Sequence, residues 1–393
     1  MSDAIELFSG CGGLALGLHI AGFQHQKLVE FEPRAASTLR LNNLLTENPS
    51  SVENEDVRNI SWSSWNDISL LAGGPPCQPF SIGGAHKGKA DNRDMWPEAA
   101  RAVREIKPKV QIWENVFGLT RPAFKDYLEW IECQLSVPQC VRGEAESFGQ
   151  HLKRLKKLRD QKSEYNIWHQ VVNAADFGVP QKRKRVIFFA VRNDVNKLPE
   201  KLKQTHSRDR LLWDKWVSKE YWDRHRLQSP TDADIPRLEQ KRVNEMRASQ
   251  KKPELEAWVT VRDALVGLGE PDGTNGHILQ PGARVYKGHT GSPLDEPAKA
   301  LKAGVHGVPG GENMMVKDDG SVRYFTIREA ACLQGFPQSY QFSGPWSEAM
   351  RQLGNAVPVQ LAEMIGNLAQ QVLGLDLARA KNRTSKINSH RAA

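Results

Sequence analysis

AIELFSGCGGLALGLHIAG, residues 4–22, joins three local signals in one short stretch. Residues 4–8 form an apolar run that predicts a β-strand, and Leu14 to Ala21 has the periodicity of a helix. The glycines between them predict a tight turn, because glycine adopts left-handed backbone angles without steric cost. A strand, a glycine turn and a helix in this order are typical of the first unit of an α/β fold.

The same alternation continues along the first half of the chain. Further strands are predicted at Lys27–Phe31, Ile68–Ala72, Val110–Trp113 and Arg185–Val191, and helices at Pro33–Asn42 and Met95–Ile106. Strands separated by about ten helical residues favour parallel pairing, since parallel neighbours need a crossover connection. We therefore expect an α/β domain whose sheet is mixed but mostly parallel, with helices on both faces.

Composition divides the chain into segments. Residues 1–195 form the expected first domain, with a charged insertion at about 139–164. Residues 196–297 are rich in Arg, Lys and Trp and predict a second, smaller domain, residues 298–375 return to the first, and 376–393 form a basic tail that we expect to be disordered. The insertion contains HLKRLKKLRDQK, for which a solvated amphipathic helix is favoured over a DNA contact.

The totals narrow the class of protein. The 393 residues carry a formal net charge of +8, which favours a polyanionic partner without requiring one. Five cysteines, odd in number and without CxxC spacing, argue against a disulfide framework or a zinc ribbon. The acidic start of the chain and the absence of long apolar runs predict a cytoplasmic protein with no membrane segment.

Three features predict a nucleotide-type cofactor. Gly10 and Gly12 fit the G-x-G-x-x-A pattern between a strand and a helix. Glu30, at the end of the second predicted strand, can accept hydrogen bonds from both hydroxyls of a ribose. Asp56, at the expected end of a third strand, can reach an adenine amino group. This set is common to nicotinamide-dependent oxidoreductases and to S-adenosylmethionine-dependent methyltransferases, so the cofactor remains open at this point.

GGPPCQPFS, residues 73–81, holds a cysteine in a loop stiffened by proline. Pro75 and Pro76 lack N–H groups, so this segment cannot extend the ladder of the preceding strand and must leave the sheet at its carboxyl end. A lone cysteine is more often a small core residue. In this loop, beside the cofactor turn, Cys77 is instead a candidate nucleophile held at attack distance.

This loop resembles the prolyl-cysteinyl loop of the DNA (cytosine-5)-methyltransferases. The rest of that family's pattern is present in order: FSGCGG, Glu30, Asp56, Glu114-Asn115-Val116, Gln181-Lys-Arg183-Lys-Arg185, REAACLQGFP and Gly354-Asn-Ala-Val-Pro358. The matches span residues 5 to about 370. The chain is therefore similar to the prokaryotic, restriction-modification type of this family, and the resemblance implies a Rossmann-like fold and S-adenosyl-L-methionine as the methyl donor.

The resemblance also implies a role for each matching residue. Cys77 would attack C6 of a cytosine flipped out of double-stranded DNA, Glu114 would assist at the ring nitrogen N3, and Arg183 and Arg185 would contact the base O2 and a flanking phosphate. The implied cofactor contacts are Phe8, Gly10, Gly12, Gly13, Glu30, Phe31, Asp56, Val57, Pro76, Met95, Asn355 and Val357. The implied DNA contacts are Gln78, Ser81 and Gln181, and no metal is expected. Residues 196–297 would then be the target-recognition domain.

Three alternatives remain open. A nicotinamide-dependent oxidoreductase rests on the glycine turn and Glu30 alone. A tRNA cytosine-5-methyltransferase would have the same catalytic set, although the long variable region 196–297 favours DNA. A non-catalytic DNA-binding relative is disfavoured because Cys77, Glu114, Arg183 and Arg185 are all present. We further expect a monomer that associates with the nucleoid through DNA, and a cognate restriction endonuclease that forms no stable complex with it.

Overall fold

The computed structural model describes residues 2–42, 51–76, 94–287, 289–303 and 313–374. The strands are β1 Ser2–Leu7, β2 Phe23–Val29, β3 Val52–Glu53, β4 Leu70–Gly73, β5 Val110–Val116, β6 Tyr165–Asn173, β7 Gln181–Lys182, β8 Lys184–Arg192, β9 His206–Ser207, β10 Glu256–Ala257, β11 Ser292–Pro293, β12 Ala298–Lys299, β13 Met314–Val316 and β14 Val322–Tyr324. The helices are α1 Gly13–Ile20, α2 Pro33–Leu41, α3 Trp96–Ile106, α4 Lys125–Ser136, α5 Phe148–Lys162, α6 Arg208–Trp216, α7 Glu220–Arg224, α8 Arg237–Ser249, α9 Val261–Leu265, α10 Ile327–Leu333, α11 Trp346–Asn355 and α12 Val359–Val372.

A seven-stranded sheet in the order β3-β2-β1-β4-β5-β8-β6 forms the centre of the molecule. The first five of these strands are parallel, as the sequence predicts. Strand β8 runs antiparallel to both β5 and β6. The connection from β6 to β8, residues 174–183, is too short for a crossover helix, so the two strands pair antiparallel. The expected mixed, mostly parallel sheet is therefore confirmed, although the sequence did not predict β6.

Alternate residues of the strands enter two separate cores, one on each face of the sheet. Leu7 of β1 and Phe188 of β8 pack with α3, α4 and α5, whereas Ala4 and Phe189 pack with α1 and α12. This is the period-two pattern of strands buried on both faces. Helices therefore cover both faces of the sheet, as expected.

The C-terminal segment closes against the N-terminal helix. A Cβ placed on Gly17 of α1 would lie 2.3 Å from the Cβ of Ala362 in α12, and one on Gly13 would lie 2.2 Å from the carbonyl oxygen of Val357. Both distances are too short for any side chain, so the two glycines permit the close contact of α1 with the returning chain. This contact places α12 against α1.

The charged insertion contains helix α5. Ser147 and Gln150 form a reciprocal capping box at its start. Leu152 and Leu155 are buried in the core that α4 also lines, and the charged residues of α5 lie on the other side. The segment is thus an amphipathic helix packed on the domain, which is the interpretation that the sequence favoured.

Residues 196–297 contain small cores of their own. Trp216 packs with Leu212, Val243 and Met246, and Trp222 packs with Leu211 and Tyr221. These tryptophans are interior residues and do not present their rings to a nucleic acid. In the parts of the chain that the structure describes, no helix is both long and apolar enough to span a bilayer.

Candidate active site

The carboxyl ends of β1, β2, β4 and β5 meet at one edge of the sheet, since these four strands are parallel. Ligands of open α/β sheets bind at this edge. The segments that the sequence singles out follow these strands, so the topology alone brings the glycine turn, Glu30, the proline loop and Glu114 to one side of the molecule.

The turn after β1 is built on left-handed backbone angles. Phe8, Gly10 and Gly12 have φ values of 57°, 55° and 88°. A Cβ added to Gly10 would meet no atom within 4 Å, so this turn faces open space. Phe8 adopts its angle without being glycine, which costs about 1 kcal/mol or more and is typical of functional turns.

Glu30 ties the glycine turn to the end of β2. Its Oε2 accepts a hydrogen bond of 2.7 Å from the backbone N–H of Gly10, and its Oε1 accepts one of 2.8 Å from Glu32. Burial raises the pKa of the Glu30 carboxyl above its usual value, although these N–H donors oppose the shift. Each oxygen keeps a further lone pair, with which it can accept a hydroxyl.

Phe31 projects into solvent beside this carboxylate, with 70% of its surface exposed. Phe31 is therefore not a core residue, although it lies near the end of a strand. Asn54, which the sequence analysis missed, donates from Nδ2 to the carbonyl oxygens of Glu30 and Phe31 at 2.8 and 2.9 Å. It thereby fixes the backbone under the exposed ring. Only its position after β3 could have drawn attention to it.

Asp56 caps the short 3-10 turn that contains Val57. Its carboxylate accepts from the backbone and guanidinium N–H groups of Arg58 at 2.9 Å, and the ion pair with Arg58 lowers the pKa of Asp56. Val57 is buried in the core beneath. The predicted contact of Asp56 with an adenine amino group stays a prediction, since the described partner of this carboxylate is Arg58.

The proline loop leaves β4 next to Glu114. A Cβ on Gly74 would lie 3.5 Å from Oε2 of Glu114. Asn115 is buried and donates from Nδ2 to the carbonyl oxygen of Pro75 at 3.0 Å, while its Oδ1 accepts from the N–H of Val116. Asn115 therefore anchors the start of the loop to β5.

Cys77, Gln78 and Ser81 lie outside the described residues, so the nucleophile and two of the predicted DNA contacts stay predictions.

Glu114 forms an ion pair with Arg185, with 2.6 Å between Oε1 and Nε. In the antiparallel register of β5 and β8, Arg185 lies opposite Val116 and is a diagonal neighbour of Glu114 on the same face. Both side chains are nearly buried, and burial lowers the pKa of the Arg185 guanidinium. The structure thus brings together two of the four predicted catalytic residues.

Arg183 and Gln181 do not join this pair. The side chain of Arg183 is buried and donates to the carbonyl oxygens of Leu301, Gly354 and Ala356 at 3.0, 2.6 and 3.1 Å. Gln181 is also buried and accepts from the N–H of Leu301 at 3.0 Å. Arg183 lies between the two strands β7 and β8, and its hydrogen-bond partners differ from the partner of Arg185. The predicted contact of Arg183 with DNA stays a prediction.

The remaining predicted cofactor residues surround the same edge. Met95 precedes α3 and packs partly on the core, and Pro76 is exposed at the start of the proline loop. Asn355 is exposed at the end of α11, and Val357 is buried, with its carbonyl oxygen against Gly13. The glycine at position 13 thus serves helix packing, whatever else it contacts.

Four of the five cysteines lie in the described residues, and burial raises the pKa of every one. The pKa of Cys11 rises to about 12 and those of Cys133 and Cys332 to about 11, and that of Cys140 is also raised. Such thiols hold almost no thiolate at neutral pH and are poor nucleophiles. This leaves Cys77 as the candidate.

The residues of this edge fit a nucleoside-bearing cofactor. An exposed aromatic ring suits an adenine face, the Glu30 carboxylate can accept ribose hydroxyls, and Gly10 leaves space for close approach. Within the described ranges, no three His, Cys, Asp or Glu side chains are grouped so that they could hold a metal ion.

Comparison with known proteins supports this interpretation of the edge. The model of the C-5 cytosine-specific DNA methylase family matches residues 2–371. The type II methyltransferase M.NgoMIV of Neisseria gonorrhoeae is 32% identical over 376 residues, covering 92% of this chain and 95% of that protein. The type II methyltransferase M.PspPI of Psychrobacter is 30% identical over 378 residues, covering 94% and 79%.

Two solved structures are similar in fold. A DNA modification methyltransferase encoded within a prophage of E. coli superposes with a TM-score of 0.57 at 20% identity, covering 95% of this chain and all of that one. The Dnmt2 methyltransferase of S. pombe superposes with a TM-score of 0.54 at 17% identity, covering 95% and 99%.

Proposed function

The chain belongs to the C-5 cytosine-specific DNA methylases, which use S-adenosyl-L-methionine as methyl donor, and we propose that it is the modification enzyme of a restriction-modification system. Its substrate is a cytosine within one short sequence of double-stranded DNA. The observation that supports this most directly is the Glu114–Arg185 pair beside the start of the Cys77 loop. That pair lies at the same sheet edge as the cofactor residues.

The reaction begins with addition of the Cys77 thiolate to C6 of a cytosine that has swung out of the duplex. The electron pair of the C5–C6 bond moves toward C5 and the N3–O2 side of the ring. Glu114 supplies a hydrogen-bonding acid at N3, and Arg185, which pairs with the Glu114 carboxylate, is assigned to orient it and to contact O2. C5 thereby becomes a nucleophilic enamine carbon.

S-adenosyl-L-methionine supplies an electrophilic methyl group on a sulfonium. C5 takes that methyl group as the S–CH3 bond breaks, and the electron pair of this bond stays on the sulfur of the product, S-adenosylhomocysteine. A base then removes the C5 proton, and the electron pair of that C–H bond restores the double bond and expels the Cys77 thiolate. The protein contributes by holding the Cys77 thiol, the Glu114 carboxyl and the flipped cytosine at fixed distances and by excluding water.

Cofactor binding is assigned to the glycine turn and the ends of β2 and β3. Glu30 accepts from the ribose, Phe31 stacks on the adenine and Asp56 accepts from the adenine amino group. Phe8, Gly10, Gly12, Gly13, Val57, Pro76 and Met95 line the remainder, with Asn355 and Val357 from the returning chain. Gln78 and Ser81 contact DNA in the same scheme.

Residues 196–297 form the target-recognition domain in this proposal, and DNA lies between them and residues 1–195. The net charge of +8 matches a polyanionic substrate. The protein acts as a monomer on DNA in the cytoplasm, and the cognate endonuclease recognises the same site without a stable complex.

Bisulfite sequencing of DNA from a host that expresses the chain tests the proposal. Protection of cytosines at one sequence motif, and at no other, is expected. Transfer of labelled methyl groups to tRNA but not to duplex DNA would replace the substrate with RNA. Tight nicotinamide binding without methyl transfer would favour an oxidoreductase.

A further inference from the structure

The guanidinium of Arg183 forms its hydrogen bonds with the protein's own backbone. The side chain is 1% exposed, and its two terminal nitrogens donate to three backbone carbonyl oxygens. Its Nε finds no acceptor among the described residues. A guanidinium buried in this way is held firmly, because hydrogen bonds to a charged donor are strong and its removal would leave three buried carbonyls unpaired.

The three carbonyls belong to two distant segments. Leu301 follows β12, the strand with which the chain returns from residues 196–297. Gly354 and Ala356 flank Asn355 at the turn between α11 and α12. Arg183 therefore joins the exit of the proposed recognition domain to the turn that carries two of the proposed cofactor contacts.

Gln181 reinforces the same junction. Its backbone pairs with Ala298 in the β7–β12 ladder, and its Oε1 accepts from the N–H of Leu301. The two segments also touch directly, since a Cβ on Gly354 would lie 2.4 Å from the backbone nitrogen of Ala303. The junction is dense, buried and centred on two side chains of the QKRKR stretch.

The two arginines have different partners. Arg185 forms an ion pair with Glu114. The two terminal nitrogens of Arg183 donate instead to the three carbonyl oxygens.

We propose that Arg183, supported by Gln181, is a positioning residue that holds the Gly354–Val357 turn in the conformation that binds the methyl donor. The inference rests on the proposed function for the identity of that donor. It predicts that Arg183 governs cofactor affinity and that Arg185 governs the chemical step, although the two arginines are only two residues apart.

The test compares Arg183→Lys with Arg185→Lys, which keep the positive charge and remove the planar fork. S-adenosylhomocysteine binding is measured by calorimetry, with no turnover required, together with KM and kcat for methylation. For Arg183→Lys we expect about tenfold weaker binding and a raised KM, with kcat within about threefold. For Arg185→Lys we expect unchanged binding and a kcat lower by about a hundredfold.

Arg183→Lys that binds S-adenosylhomocysteine normally and loses kcat as Arg185→Lys does would overturn the inference. Should Arg183→Lys fail to fold, Gln181→Leu gives the decision, because it removes only the contact to the Leu301 N–H. Weaker binding with retained kcat supports the junction, and normal binding rejects it. Wild-type protein that binds S-adenosylhomocysteine but methylates no DNA would reject the proposed substrate and leave this test intact.

Discussion

The cofactor edge and residues 196–297 are built by different means. At the edge, local backbone chemistry decides the structure: the turn after β1 needs left-handed angles, and Glu30 bonds directly to a nearby N–H. In residues 196–297, short helices gather around buried tryptophans, and charged residues cover the outside. The structure of the edge therefore depends on contacts between single atoms, whereas the structure of the second region depends on the packing of its side chains.

The largest effect is expected at the edge. Cys77→Ser removes the only candidate nucleophile and should abolish methyl transfer, because a neutral hydroxyl adds to C6 far more slowly than a thiolate. Methylation is measured by transfer of tritiated methyl groups, and DNA binding by gel shift should remain close to wild type. Comparable turnover by this variant would contradict the mechanism and the distinction between the two regions.

DNA that contains 5-fluorocytosine tests directly whether Cys77 is the nucleophile. The fluorine at C5 cannot leave as a proton does, so the covalent adduct should accumulate on Cys77. Peptide mapping locates it. An adduct on Cys11 or Cys332, whose raised pKa values make them poor nucleophiles, would move the active site away from the proline loop.

Trp216→Ala tests the packing of residues 196–297. The side chain fills a small core with Leu212, Val243 and Met246, so its removal should cost about 3–5 kcal/mol of unfolding free energy. Chemical denaturation measures the loss. Leu238→Ala is the control, because Leu238 is 94% exposed and should change stability by less than about 0.5 kcal/mol. Equal losses in both variants would mean that the tryptophan is no core residue.

The smallest expected effect is a pH dependence of cofactor binding at the edge. Glu30 must be ionised to accept ribose hydroxyls, and its pKa is raised by burial, so cofactor affinity is full above that pKa and falls as pH decreases through it. The loss should begin at higher pH than an ordinary glutamate with a pKa of 4.5 would give. Calorimetry with S-adenosylhomocysteine from pH 8 to 5 measures it, and Glu30→Gln should bind more weakly with a flatter profile.

Much of the cofactor edge could be predicted from the sequence because its signals are local. A glycine turn between a strand and a helix, and prolines after an apolar run, restrict the backbone wherever they occur. Local signals do not predict the exposure of Phe31, since the exposure of a ring at a strand end depends on what packs over it. Strand β6 was missed because it combines polar and apolar residues and follows a charged helix.

Arg183 and Gln181 could not have been assigned from the sequence for another reason. Their partners lie more than a hundred residues away, at Leu301 and Gly354. Alternation along a strand does not indicate what Arg183 contacts, because the strand is interrupted between β7 and β8 at Arg183 itself. No local pattern signals such an interruption.

Asn115 has a consequence for how the enzyme can diverge. Asn115 directly follows Glu114, and its side-chain amide donates to the carbonyl oxygen of Pro75, two residues before Cys77. Pro75, at the start of the loop, and Glu114 are thereby attached to one strand, β5. This hydrogen bond involves no residue of 196–297, so exchange of that segment in the course of evolution would leave the link between Pro75 and β5 in place.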